Sequence, residues 1–117
     1  MITVAETKRR FVADPRWWKI PLMDFVDDFR HYKDETAIAE PFDLGDDEKD
    51  AVFAGVIETL CDELKIPIPA WLANVPPCSK PLFLSRMESL KAISIVESPV
   101  RLRLRKVFVF KNFLHRV

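Results

Sequence analysis

A stripe of apolar residues in the middle of the chain constrains the fold more than any other feature of the sequence. Its members recur at the three- and four-residue spacings that place side chains on one face of an α-helix: Phe53, Val56, Ile57, Leu60, Cys61 and Leu64. Three acidic residues at 46–48 precede the stripe and suit a first helical turn, where the helix dipole favours negative charge. We therefore predict a helix that buries this stripe and ends near Lys65, before Pro67.

Two further helices are predicted, one on each side of this central helix. Pro21 suits a first helical turn, because the N–H that proline lacks would have no partner there. Apolar residues then follow helical spacing to about residue 32: Leu22, Phe25, Val26 and Phe29. Residues 85–88 have the form of a capping box, which predicts a third helix that ends at Ser98-Pro99.

Prolines dominate the stretch between the second and third predicted helices. Five of the nine prolines lie in residues 66–81, and Pro69 could begin a short helix that Pro76-Pro77 would close. The chain has only two glycines, which counts against a Gly-rich phosphate loop and a nucleotide-binding fold. We predict a proline-rich cross-piece here.

Near the C-terminus, the spacing of the apolar residues changes from the helical period to strict alternation. Apolar and basic residues alternate over 100–105, which predicts a strand with one solvated face. Alternatively, 100–105 is a last helical turn and only 107–110 is extended. A strand needs a partner, which could be a second copy of the chain, another protein, or the basic segment 1–18, whose Ile2 and Val4 show a weak strand-like alternation.

These elements predict a single domain over residues 1–117. Its fold class would be mainly α, a small three-helix-type bundle with a proline-rich cross-piece and a short C-terminal strand or extended tail. No apolar run approaches the ~20 residues of a membrane span, and charged residues stand where a signal peptide would be apolar. We therefore expect no membrane association and a cytoplasmic location.

Charge is unevenly distributed, although the net charge is zero. Residues 24–63 hold fourteen acidic and three basic side chains, whereas 99–117 hold six basic and no acidic ones, and 8–19 hold five basic ones against Asp14. The acidic helices and basic termini could neutralise one another within the fold. Otherwise, a basic edge docks on an acidic partner protein or, less readily because the acidic helices repel phosphate, on nucleic acid.

Six residues are predicted to contact a partner: Arg101, Arg103, Arg105, Lys106, Trp17 and Trp18. The four cations form the basic C-terminal segment. Adjacent tryptophans cannot both point inward from regular structure, so one of Trp17 and Trp18 is expected to be partly exposed or to cover a groove. Tryptophan is enriched at interface hot spots, although core packing is its commoner use.

No motif indicates catalysis, and we predict neither enzymatic activity nor a cofactor or metal. The Asp27/His31 pair has the spacing of two metal ligands on a helix, but His31 is more typical of a solvated residue at a helix end. Cys61 is interpreted as a core residue rather than a nucleophile. Cys78 lies in a predicted loop, and a pair of free thiols is expected, with a disulfide as the alternative.

Two patterns carry a family resemblance. Residues 60–71 close on Pro-x-Pro-x-Trp, and residues 97–117 follow SPPxFRxRNVFV…LxRV, with Val100 and Leu102 where the pattern has proline and phenylalanine. Together they resemble a family of small uncharacterised bacterial proteins associated with toxin–antitoxin loci, some of which have a helix-turn-helix domain that is not seen here. The resemblance implies an intracellular bacterial protein that acts as an antitoxin-like partner, and it supplies no catalytic residues.

The favoured function is therefore a protein-interaction module, an antitoxin-like or regulatory partner in a bacterial operon. Its expected partner is another protein, such as a cognate toxin with an acidic surface, or a second copy of the chain. A nucleic-acid-binding protein that uses the basic C-terminal segment is the alternative, and a metal-dependent hydrolase built on Asp27 and His31 is a further one.

Overall fold

Helices form most of the structure, which is a computed structural model that describes residues 1–84, 94–95, 97–110 and 113–114. Its regular elements are, in chain order, α1 (Val4–Ala13), α2 (Lys19–Tyr32), α3 (Asp47–Leu64), β1 (Leu82–Phe83), α4 (Val100–Leu104) and β2 (Val107–Phe108). Short 3-10 helices lie at Pro15–Trp17, Glu35–Ile38 and Ala70–Asn74. None of the described helices is both long and apolar enough to cross a membrane.

Helix α1 replaces the weak strand that the sequence predicted for the N-terminal segment. The Thr3 hydroxyl caps it by accepting a hydrogen bond from the Glu6 N–H at 3.1 Å. One face of α1 is buried at helical spacing: Val4, Thr7, Lys8 and Phe11. The strand prediction was wrong because two of these four positions are polar, so the helical period was not visible in the apolar residues alone.

Helices α2 and α3 confirm the two predicted N-terminal helices to within about two residues. Pro21 lies in the first turn of α2, and the Asp46 carboxylate caps α3 by accepting from the Lys49 N–H at 3.1 Å. The predicted stripe of α3 is buried, except that Leu64 is only half-buried. Ala51, Val52 and Ala54 are buried as well, so α3 is enclosed on several sides and lies at the centre of the fold.

The C-terminal segment is helical where the alternation suggested a strand. Residues 100–104 form α4, and only Val107–Phe108 is extended. The strand prediction for 100–105 is therefore wrong, and the alternative of a last helical turn is right. A helix places Arg101 and Arg105 on one face, four residues apart, so that both can reach acidic residues of α3.

The partner of β2 is β1 rather than the N-terminal segment. The two strands are parallel, with Leu82 opposite Val107 and Phe83 opposite Phe108. The Leu82 N–H donates to the Lys106 carbonyl at 2.8 Å, which ties the proline-rich stretch to the end of the chain.

The buried side chains of the described residues form one cluster, which includes residues from α1, α2, α3, α4 and β2. The predicted short helix after Pro69 is present at Ala70–Asn74, and the Trp71 Nε1–H donates to the Ile38 carbonyl at 2.9 Å. Most of the predicted third helix lies outside the described residues. Within its predicted range, residues 94, 95 and 97 are described and are helical. The predicted fold class is confirmed: mainly α, with a proline-rich cross-piece and a short C-terminal strand.

Replacing Gly55 with alanine is expected to destabilise the fold, because α4 crosses α3 at this glycine. An added Cβ would lie 2.6 Å from Leu102 Cδ2, and Leu102 is fully buried. Such overpacking costs about 1–3 kcal/mol, of which the better helix propensity of alanine recovers roughly 1 kcal/mol. Urea denaturation of Gly55→Ala should show a net loss of up to about 2 kcal/mol in the free energy of unfolding.

Gly45→Ala is the matched control for this substitution. Nothing lies within 4 Å of a Cβ at residue 45, and its backbone φ is not positive. We expect its free energy of unfolding to stay within about 0.5 kcal/mol of the wild-type value. Equal losses in the two variants would contradict the packing argument.

Candidate functional site

Two of the four predicted contact cations at the C-terminus are held by the chain itself. The Arg105 Nε–H donates to Glu58 Oε1 at 2.6 Å, and its two terminal nitrogens donate to the carbonyls of Val75 and Leu72 at 2.6 and 2.8 Å. Arg101 forms a forked pair with the Asp62 carboxylate, with Nε to Oδ2 at 2.8 Å. Arg105 is only 8% exposed, so its guanidinium is not accessible to a partner.

The other two cations, Arg103 and Lys106, are exposed. Neither makes an ion pair with another residue in the described part of the chain. Val100 and Leu104 lie beside Arg103 on the solvent side of α4 and are 54% and 70% exposed. The basic C-terminal segment is thus divided between structural and accessible cations.

The two adjacent tryptophans differ in exposure to solvent, as the sequence predicted. Trp18 packs its ring edge-to-face against Phe11, with ring centroids 6.1 Å apart, and the Lys19 ammonium lies 5.8 Å from its ring centroid. Trp17 is 56% exposed. The turn of 3-10 helix at Pro15–Trp17 reverses the chain between α1 and α2 and leaves the Trp17 ring at the surface.

Three exposed apolar residues lie at or near the turn between α1 and α2, and we call them the α1–α2 corner: Val12, Trp17 and Ile20. Their exposed fractions are 68%, 56% and 54%. Four cations lie on the same stretch of chain: Arg9, Arg10, Arg16 and Lys19. Of these, Arg10 pairs with Asp24 across α1 and α2 at 3.1 Å, and both partners are substantially exposed. The corner therefore combines apolar surface with positive charge.

A cavity of about 470 Å³ adjoins the corner, between α1 and residues 41–49. We call it the α1 cavity. Val12 and Pro15 line it on the side of the corner, and Pro41 and Leu44 line the opposite wall. Its volume falls in the range of ~300–1,000 Å³ that is typical of ligand-binding pockets.

A buried ion pair joins the two walls of the α1 cavity. The Lys8 ammonium contacts the Asp50 carboxylate, and both side chains are almost fully buried. Asp50 Oδ2 also accepts from the N–H groups of Gly45 and Asp46 at 2.9 and 3.1 Å, and the Lys8 ammonium lies 5.4 Å from the Phe42 ring centroid. Sequence analysis missed this pair because its two members are 42 positions apart, and no local spacing indicates it.

The residues considered for chemistry are not assembled into a reactive site. His31 is exposed in the last turn of α2, and its ring packs edge-to-face against Tyr32. Within residues 1–84, 94–95, 97–110 and 113–114, no three His, Cys, Asp or Glu side chains are grouped in a way that could hold a metal ion. Cys61 and Cys78 are buried free cysteines, and Cys61 occupies the core position that was predicted for it.

No protein-family model, curated protein sequence or solved structure matches this chain. The resemblance to the toxin–antitoxin-associated family therefore stays a prediction from the two sequence patterns.

Truncation of Arg105 is expected to destabilise the protein strongly. Removing one partner of a buried ion pair costs about 3–5 kcal/mol, because the remaining charge loses its compensation. Arg105→Ala removes the donor from Glu58 and from the Val75 carbonyl, and leaves the Leu72 carbonyl with only the Val75 N–H at 3.2 Å. Arg105→Lys keeps the charge but cannot reach three acceptors with one ammonium, so we expect a loss of about 1–3 kcal/mol. Urea denaturation at neutral pH measures both losses.

Arg103→Ala provides the comparison, since Arg103 is exposed on the same short helix. Its free energy of unfolding should change by less than about 0.5 kcal/mol. If Arg103→Ala and Arg105→Ala cost the same, the structural role assigned to Arg105 would be wrong.

The buried thiol of Cys61 is expected to make the fold sensitive to alkali. Burial raises the pKa of Cys61 from its usual 9.0 to about 11, and the neighbouring carboxylates of Asp62 and Glu58 add to this effect. A raised pKa in the folded state means that the fold favours the protonated thiol. Its contribution to stability is complete below pH 9 and is lost as the pH rises through 11.

Cys61→Ala isolates this contribution from other groups that titrate in alkali. The stability difference between wild type and Cys61→Ala should be constant up to pH 9 and should shrink between pH 9 and 11. Chemical denaturation at a series of pH values measures it. A difference that does not vary with pH would show that the thiol does not titrate as described.

Proposed function

We propose that this chain is a protein-interaction module and that the α1–α2 corner is its contact surface. The observation that supports this most directly is the exposed Trp17 ring at the short turn between α1 and α2, where Val12 and Ile20 are also more than half exposed. Tryptophan on a surface is costly to leave in water and is enriched among the residues that dominate binding energy at interfaces.

The charge of the corner supports an acidic partner. Residues 8–19 carry five basic side chains and a single acidic one, Asp14. Lys8 is buried against Asp50, but Arg9, Arg16 and Lys19 remain exposed around the apolar patch. A cationic rim around an apolar centre favours association with a surface of opposite charge, both in rate and in specificity.

An antitoxin-like role is the specific form of this proposal that the family resemblance suggests. The partner would then be a cognate toxin with an acidic surface, and the cytoplasm would be the place of contact. Two exposed cations, Arg103 on α4 and Lys106 in the turn after it, would serve as a second, weaker contact, while Arg101 and Arg105 would maintain the fold.

Affinity purification of the tagged chain from its source cells tests the proposal. We expect a co-purifying protein whose recovery depends on Trp17, because truncating an interface hot spot costs about 2 kcal/mol or more, or roughly a thirtyfold loss of affinity. Titration calorimetry of that protein against wild type and Trp17→Ala would give the ratio of Kd values.

Tyr32→Ala is the matched control, since Tyr32 is also an exposed aromatic residue and lies at the other end of α2, about 20 Å away. Tyr32→Ala should bind the co-purifying protein with the same Kd as the wild-type chain. Dependence on Arg103 and Lys106 in place of Trp17 would move the interface to α4 and contradict the proposed surface. Binding to DNA or RNA fragments with a steep salt dependence would instead favour the nucleic-acid alternative.

A further inference from the structure

We propose that the α1 cavity is half of a two-fold interface between two copies of this chain. The cavity has one wall on α1 and an opposite wall formed by residues 41–49, and the two walls carry unpaired charges of opposite sign. The inference does not rest on the proposed function, although Val12 belongs to both the corner and the cavity.

The α1 wall carries the unpaired positive charge. Lys8 on this wall is buried and contacts the Asp50 carboxylate, so its charge is already compensated within the chain. Arg9, the next residue, also lines the cavity, but it is exposed and makes no ion pair with another described residue. The Arg9 guanidinium is therefore accessible to a carboxylate of a second molecule.

The opposite wall carries the unpaired negative charge. Its Lys49 ammonium pairs with the Asp46 carboxylate at 3.3 Å, whereas Asp43 is exposed and makes no ion pair with another described residue. Asp47 and Glu48 place two further exposed carboxylates beside this wall. This side of the cavity therefore favours a cation, and the α1 side favours an anion.

This division of charge makes the surface complementary to itself. A partner with charges of one sign would be attracted by one wall and repelled by the other. A two-fold axis that runs along the cavity, in the plane of contact, would instead place the α1 wall of each copy on the 41–49 wall of the other. Arg9 of each copy would then face Asp43 of the other, so that the same attractive contact forms twice.

Exposed apolar side chains on both walls supply surface for this interface to bury. Val12 on the α1 wall is 68% exposed, Leu44 on the opposite wall is 54% exposed, and Pro15 and Pro41 are exposed as well. The same two-fold axis brings the wall with Val12 onto the wall with Leu44. Removing this apolar surface from water would favour association, and the charge contacts would fix the orientation of the two copies.

Sedimentation equilibrium of the full chain tests the inference at low ionic strength, where charge contacts are least screened. We expect a monomer–dimer equilibrium within a concentration series that reaches about 1 mM. Arg9→Glu and Asp43→Arg should each raise the dimer Kd at least about tenfold, because each puts like charges opposite one another at both contacts. A wild-type chain that stays monomeric throughout the series would overturn the inference.

An equimolar mixture of the two variants gives the decisive result. In a mixed dimer, one contact keeps the original Arg9 and Asp43 side chains, and the other joins the two introduced side chains, which again have opposite charges. We therefore expect the mixture to dimerise with a Kd within about threefold of the wild-type value. A mixture that dimerises no better than either variant alone would show that these residues do not meet across a two-fold interface.

Arg103→Glu is the matched control, because it makes the same charge reversal at an exposed cation on α4. It should change the dimer Kd less than about twofold, as should Trp17→Ala. A dimer that requires Trp17 but neither Arg9 nor Asp43 would overturn the inference. Circular dichroism of each variant verifies that its fold is intact.

This panel also separates the inference from the proposed function. A dimer that depends on Arg9 and Asp43 would support the inference even if no protein co-purified with the chain. A co-purifying protein that requires Trp17, together with a chain that stays monomeric, would support the proposed function and overturn the inference.

Discussion

The guanidinium of Arg105 joins three segments that lie far apart in the sequence: α3 through Glu58, the 3-10 turn through the carbonyls of Leu72 and Val75, and its own position at the end of α4. Because the donors of a guanidinium have a fixed planar geometry, satisfying all three acceptors determines where α4 lies on α3. The Arg105 carbonyl in turn accepts from the Cys78 N–H at 3.0 Å, next to the β1–β2 pair. The side chain and the backbone carbonyl of Arg105 thus both hold the proline-rich stretch against the rest of the fold.

This arrangement separates two basic segments that look alike in composition. At the C-terminal end, Arg101 and Arg105 pair with acidic residues of α3, whereas Arg103 and Lys106 stay exposed. At the N-terminal end, Lys8 is buried against Asp50, but the cations around Trp17 stay at the surface. Exposed ion pairs contribute little to stability, whereas uncompensated charge beside an apolar patch affects which molecules associate with it. Among the described residues, the α1–α2 corner therefore has more exposed cations nearby than α4 and the turn after it.

The sequence predicted the elements whose apolar residues repeat with the helical period, and missed those in which polar residues take part in burial. The stripe from Phe53 to Leu64 identified α3 because most of its members are apolar. In α1, Thr7 and Lys8 occupy buried positions, and Lys8 is tolerated there only because Asp50 approaches from α3. In α4, five residues are too few to distinguish a helix from an alternating strand. The α1 cavity was not predictable, since long-range packing of α1 against residues 41–49 creates it.

The close crossing of α4 over Gly55 has a consequence for how the protein is made. Leu102 covers the middle of α3 at Gly55, yet it lies 47 positions further along the chain, a distance that takes a ribosome roughly 2–9 s to translate. During that interval the nascent helices α1, α2 and α3 can assemble, but the face of α3 around Gly55 stays open to water. The newly synthesised chain therefore exposes apolar surface for a short time. Chaperones recognise such surface, and it favours aggregation when translation is fast or expression is high.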